Sequence, residues 1–332
     1  MSFDIQDFLF GGVWQAMNWK INNNNNNNNN IIQPIETDWK GSTANGNVQL
    51  HVREYGSHNK NKNSTSNFVL SHGIEASGLS WDAICQLLVP MGFYCLAYDR
   101  RGWGNSARPA DTTPPSLYTP AMDALDLALI SQAYNVQTPT VVGHSYMGMG
   151  ALMSASNFAT ATQTNLIPSK YISISGRIGG INSAAPFGPA AKTAFTSTAP
   201  VTNMITVFNQ YAFTEQSTNL STVSLAKLIA AANAIMRLAA VPAIVGNFSG
   251  ASPLVSGFPA TLPAFTAPVL LLTGTNDQVV QMQNSRVAST LIPNCRYQEI
   301  TGAPHFMLTT HANTIANAMN NFVKGIVEKA QA

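Results

Sequence analysis

Charge is what this chain has least of. Lysine, arginine, aspartate and glutamate make up 10% of the 332 residues, against roughly 25% in an average globular domain. The net charge is +2 and no basic run stands out, which excludes electrostatic recruitment to nucleic acid or acidic lipid. Asparagine, serine, threonine and glutamine must cover the surface instead. Cysteine is also scarce: Cys85, Cys95 and Cys295 have no Cys-x-x-Cys spacing and no neighbouring histidines. That excludes a zinc knuckle and a redox pair and leaves buried free thiols. The six histidines contain no His-Glu-x-x-His, so no metal centre is expected. No apolar run approaches the ~18 residues of a spanning helix. Asp4 and Asp7 stand where a secretion signal needs positive charge. These absences together predict a cytoplasmic protein with no membrane span, nucleic-acid partner, metal or cofactor.

Length predicts one large α/β domain carrying an insertion. In the N-terminal segment, 1–45, the spacing of Phe3, Phe8, Leu9, Phe10, Val13, Trp14 and Met17 predicts one apolar face of a helix that docks on the body, with grazing contact to a membrane as the alternative reading. Residues 22–30 are an unbroken polyasparagine tract, which lacks the apolar surface to order itself and reads as a linker. A polar stretch, 57–67, separates strand-like runs at 48–55 and 68–71 and reads as a solvated hairpin loop. Strands and helices then alternate: strands at 68–71, 94–98, 140–142 and 171–175, with helices near 81–91, 119–134 and from 146. Short apolar runs between helical patterns predict a mostly parallel sheet with helices on both faces. The alternation stops at about 177 and resumes at about 266, with strands at 269–272 and 296–300 and helices near 281–291 and 313–328. The core is therefore expected over 46–176 and 266–332. Residues 177–265, with a helix-like stretch at 220–240, form a cap over the carboxyl edge of the sheet, where open α/β sheets place their sites.

What is present is a serine set up as a nucleophile. In Thr140-Val141-Val142-Gly143-His144-Ser145-Tyr146-Met147-Gly148 a short strand runs through a small residue into the serine and then a helix. Such a strand-to-helix turn strains the serine backbone and lifts its hydroxyl above the sheet. Acyl transfer also needs a base, an acid to orient it and donors for the oxyanion. His305 lies in Thr301-Gly302-Ala303-Pro304-His305-Phe306 after the last strand and is the expected base. Asp277 follows the penultimate strand in Leu272-Thr273-Gly274-Thr275-Asn276-Asp277, and the strand before that ends without any carboxylate. Ser71-His72-Gly73-Ile74 ends the first parallel strand, so the backbone N–H groups of Ile74 and Tyr146 are the expected oxyanion donors. His72 and His144 are read as hydrogen-bond partners of the site, and 99–106 as a structural loop beside the elbow.

Together these residues resemble the α/β-hydrolase superfamily from about 48 to 328, with the chain order serine, aspartate, histidine. More narrowly, Tyr98-Asp99-Arg100-Arg101-Gly102, Asn276-Asp277-Gln278-Val279-Val280 and Gly302-Ala303-Pro304-His305 look like the cofactor-free haloperoxidase, perhydrolase and esterase branch. The resemblance implies carboxylic-ester hydrolysis, with peracid formation when peroxide replaces water. It places the nucleophile at Ser145, the acid at Asp277, the base at His305 and the oxyanion donors at Ile74 and Tyr146. Two positions depart from the pattern: Ile74 replaces an aromatic residue, and Met147 replaces the glycine of G-x-S-x-G, where a thioether must displace something or swing aside and is expected to perturb the elbow without abolishing activity. Phe187, Phe195, Met204, Phe208, Tyr211, Phe213, Met236 and Phe248 in the cap fit a small or medium apolar ester. Ser145 argues against hydrolases of this fold that use an aspartate nucleophile. Carbon–carbon bond hydrolysis and non-catalytic binding of a small molecule remain as competing readings.

Overall fold

The computed structural model describes residues 32–60, 67–73, 76–107, 119–159, 166–178 and 258–326. The polyasparagine tract, the N-terminal apolar face, Ile74 and nearly all of the expected cap fall outside them. Among the described residues, eight strands form one sheet in the order β1-β2-β4-β3-β5-β6-β7-β8. The strands are β1 (Ile35–Trp39), β2 (Leu50–Tyr55), β3 (Asn67–Ser71), β4 (Tyr94–Tyr98), β5 (Thr140–His144), β6 (Lys170–Ile174), β7 (Val269–Gly274) and β8 (Cys295–Ile300). β2 runs antiparallel to both neighbours, and every pairing from β4 to β8 is parallel. The sheet thus begins at Ile35, inside the segment expected to be an N-terminal appendage.

One connection differs from expectation. The polar stretch after β2 is not a hairpin loop, because β2 pairs with β4 and β3 lies beyond it. β3 is buried along its whole length and takes β4 and β5 as parallel partners on its two sides, leaving no edge for β2. Asn59, within this stretch, is buried and donates to the carbonyls of Val89 and Phe93.

Helices α1 (Asp82–Leu88), α2 (Pro120–Ala133), α3 (Tyr146–Phe158), α4 (Met282–Leu291), α5 (Met307–Thr310) and α6 (Ala312–Val323) cover the sheet. Strand side chains alternate between its faces. Val69, Val141 and Leu271 pack with Leu127, Ile130, Leu152 and Ala288 of α2, α3 and α4. Phe68, Leu70, Val142, Leu270 and Leu272 pack with Ile84 and Leu88 of α1 and Met319 and Phe322 of α6. Helix α2 starts with Thr119 as its cap, whose Oγ1 accepts the Met122 N–H at 3.2 Å, and Pro120 at its first position.

After β3 the chain moves to β4 on one side, and β5 then begins on the other. The carboxyl ends of β3 and β5 therefore border the crevice where the strand order reverses. Gly73 follows the first of these strands and Ser145 the second.

Candidate active site

Ser145 sits between β5 and α3 with φ 56 and ψ −118, a conformation that costs a non-glycine residue of order 1–3 kcal/mol. Its surroundings over-determine it. The Ser145 N–H donates to the Ile174 carbonyl at 2.9 Å, and its own carbonyl accepts the N–H of Gly148 at 2.9 Å and of Arg177 at 3.0 Å. The loop after β3 comes close enough that a Cβ at Gly73 would lie 2.6 Å from the Ser145 Cβ and 3.2 Å from its Oγ. Only glycine fits there.

His305 Nε2 lies 2.8 Å from Ser145 Oγ, and its Nδ1 lies 2.8 Å from Asp277 Oδ2. A carboxylate only accepts hydrogen bonds. The proton between His305 and Asp277 therefore belongs to Nδ1, and Nε2 is left to accept the serine hydroxyl. The other carboxylate oxygen of Asp277 accepts the N–H groups of Val279 at 2.9 Å and Val280 at 2.8 Å, which fixes its direction. The acid and base loops are laced together by Thr275 N–H to the Ile300 carbonyl at 3.1 Å, Asn276 N–H to the Ala303 carbonyl at 3.0 Å and Gly302 N–H to Thr275 Oγ1 at 2.8 Å. Ser145, Asp277 and His305 are all buried.

His144 is fully buried, and its Nε2 donates to the backbone carbonyl of His305 at 2.9 Å. Burial first, and then the nearby His305, push its pKa down to about 3, so it is a neutral donor. His72 is likewise a hydrogen-bond partner, to Gly73 and Arg100. Of the two expected oxyanion donors, Tyr146 is the first residue of α3, whose N–H no carbonyl of the helix itself can serve. Ile74 lies outside the described residues.

Met147 packs along its own helix. It is fully buried, and its thioether occupies the space beside Gly150, where a Cβ would lie 2.6 Å from the Met147 methyl carbon. Close contact with the sheet falls to the next residue, since a side chain on Gly148 would collide with Gly176 and Ser173.

Loop 99–106 contains partners that its sequence alone did not reveal. Arg100 makes a bidentate pair with Asp123 at 3.2 and 2.7 Å, and Arg101 a bidentate pair with Asp126 at 2.7 and 2.8 Å. The two aspartates stand three apart on α2 and so share one helix face. Two acids on the buried side of an apolar helix were the available signal. Among the described residues no group of three or more His, Cys, Asp or Glu is disposed to hold a metal, and no helix is long and apolar enough to cross a membrane.

The alpha/beta hydrolase fold family matches residues 67–312. The non-heme chloroperoxidase of Streptomyces lividans is 25% identical over 267 residues, 77% of this chain and 91% of its own. A bifunctional esterase/perhydrolase of Acinetobacter calcoaceticus is 24% identical over 272 residues, 76% of this chain and 90% of its own. The crystal structure of a bromoperoxidase from Bacillus anthracis shares the fold with a TM-score of 0.68 at 21% identity, covering 87% of this chain and 100% of that one.

Proposed function

The chain belongs to the α/β-hydrolase fold family, and from that premise we propose that it hydrolyses small or medium apolar carboxylic esters through an acyl-enzyme on Ser145. The observation that carries this reading is the continuous path Ser145–His305–Asp277, with both hydrogen bonds at 2.8 Å. Ser145 Oγ attacks the ester carbonyl carbon while His305 Nε2 takes its proton. The carbonyl electron pair moves onto oxygen, which the N–H groups of Tyr146 and Ile74 receive. Collapse of that intermediate breaks the bond to the alcohol, which leaves with the proton from His305. Water then repeats the sequence on the acyl-enzyme, releasing the acid and regenerating Ser145. Asp277 keeps the Nδ1 proton in place throughout and supports the positive charge on His305.

The apolar residues of the expected cap, 177–265, support an apolar acyl group. A second reading, peracid formation with hydrogen peroxide in place of water at the acyl-enzyme, is favoured by the relatives named as a chloroperoxidase and an esterase/perhydrolase. The three free thiols, two of them buried, fit a cytoplasmic setting. Aryl esters graded by acyl length, assayed with and without peroxide and with Ser145→Ala as control, test the proposal. Turnover that peaks at a short or medium acyl chain and vanishes in the variant is expected. No turnover of any ester refutes it.

A further inference from the structure

Gly73 and Tyr146 border Ser145 from two separate segments, and one buried side chain touches both. The Arg100 guanidinium, anchored by Asp123, donates from Nη1 to the Gly73 carbonyl at 3.4 Å, and its Cζ lies 4.3 Å from the centroid of the Tyr146 ring. His72 supplies a second donor to the same carbonyl. Its Nε2 accepts the backbone N–H of Arg100 at 3.0 Å, so that nitrogen carries no proton. The ring proton is therefore on Nδ1, which donates to the Gly73 oxygen at 2.8 Å. Arg100 and His72 are both buried, at 1% and 0% exposure, so the Gly73 oxygen is turned into the body of the protein. A buried arginine–aspartate pair seldom stabilises a fold more than apolar packing would. Here the pair delivers geometry.

We propose that Arg100 and His72 are positioning residues for the oxyanion: they hold the Gly73 carbonyl, from which the loop expected to supply one donor sets out, and the first turn of α3 at Tyr146 in register around Ser145. This role rests on the ester-hydrolase reading above. It acts on the tetrahedral intermediate and not on proton transfer, which separates it from the work of His305 and Asp277.

The experiment compares wild type, His72→Leu, His72→Asn and Arg100→Lys on an aryl ester and on an aryl trifluoromethyl ketone. In the ketone adduct the Ser145 oxygen bonds to the carbonyl carbon, the serine proton passes to His305 and the former carbonyl oxygen becomes the oxyanion. Loss of a whole oxyanion donor costs about 10²–10³ in kcat, so misaiming in His72→Leu and Arg100→Lys should lower kcat by roughly ten- to a hundredfold. The ketone Ki should rise by the same factor while KM stays within about threefold, because an analogue of the transition state tracks kcat and not substrate binding. Lysine retains the charge but lacks the fork that spans Asp123 and Gly73. His72→Asn places an amide donor near the position of Nδ1 and should restore kcat and Ki to within about threefold of wild type. Circular dichroism identifies variants that fold, and if Arg100→Lys does not, the two His72 variants decide. A folded His72→Leu with wild-type kcat and Ki, or with reduced kcat and unchanged Ki, overturns the positioning role alone. A wild type that neither cleaves aryl esters nor binds the ketone removes the ester-hydrolase reading and this role together.

Discussion

His144 donates its Nε2 proton to the backbone carbonyl of His305 at 2.9 Å, and the two rings lie 5.1 Å apart. The residue before the candidate nucleophile thus fastens the main chain of the candidate base, leaving both ring nitrogens of His305 for Ser145 and Asp277. His305 becomes cationic in the proposed reaction. A second imidazolium beside it in a buried site would oppose that charge, and burial of His144 prevents one from forming.

Stability should record this burial. In the unfolded chain His144 protonates near the ordinary histidine value of about 6.5, and in the folded protein only at about 3. Between those values the unfolded state binds the extra proton, so stability falls as pH falls, by up to ~1.4 kcal/mol per pH unit for this one group. His144→Gln keeps an amide donor and cannot titrate. Urea unfolding from pH 8 to pH 4 should show a stability difference between wild type and His144→Gln that shifts toward the variant as pH drops below about 6.5. Parallel profiles would mean that His144 is not held neutral by the fold.

Asp277→Asn tests the acid. An amide can donate toward Nδ1 and so favours the tautomer with its proton on Nε2, which cannot accept the serine hydroxyl. Turnover should fall by up to about 10⁴ with the fold intact, read as kcat on an aryl ester. A loss below tenfold would take Asp277 out of the mechanism.

Met147→Gly should not raise kcat, because the thioether is seated beside Gly150 and Gly148 already brings α3 against the sheet. The change empties a fully buried site at a cost of about 2–5 kcal/mol, and glycine in the helix adds roughly 0.5–1 kcal/mol. Thermal unfolding with steady-state kinetics measures both. A faster, folded variant would show that the methionine does strain the elbow.

Asp126→Leu removes the carboxylate that neutralises the buried Arg101 guanidinium and should destabilise the protein by about 3–5 kcal/mol. Adding Arg101→Met should recover much of that loss, since no buried charge then remains unpaired. Denaturant midpoints of the single and double variants check this, and additive losses would contradict it.

The path from sequence to site was legible where chemistry and periodicity coincide. A short apolar strand, a small residue and a serine read as an elbow at Ser145, and the places of Asp277 and His305 after the last two strands mark them as acid and base, which the structure brings together. Partnerships across the sheet were not legible. The link after β2 reads as a hairpin because it is polar and lies between two strand-like runs, yet strand order depends on which strands are buried on both faces. The effect of Met147 depended on Gly150, one turn away, and a motif that counts residues up to Gly148 does not include it. The arginines at 100 and 101 acquire meaning only when α2 presents Asp123 and Asp126 to them.

Whether Ser145 is the nucleophile is decided by reaction with a fluorophosphonate followed by mass analysis. Wild type should take up one equivalent on Ser145 and lose esterase activity in proportion. Folded Ser145→Ala should take up none, with turnover lowered by roughly four to six powers of ten, because serine, base and acid act as one unit. Stoichiometric labelling or substantial turnover in Ser145→Ala would mean that the nucleophile is a different residue.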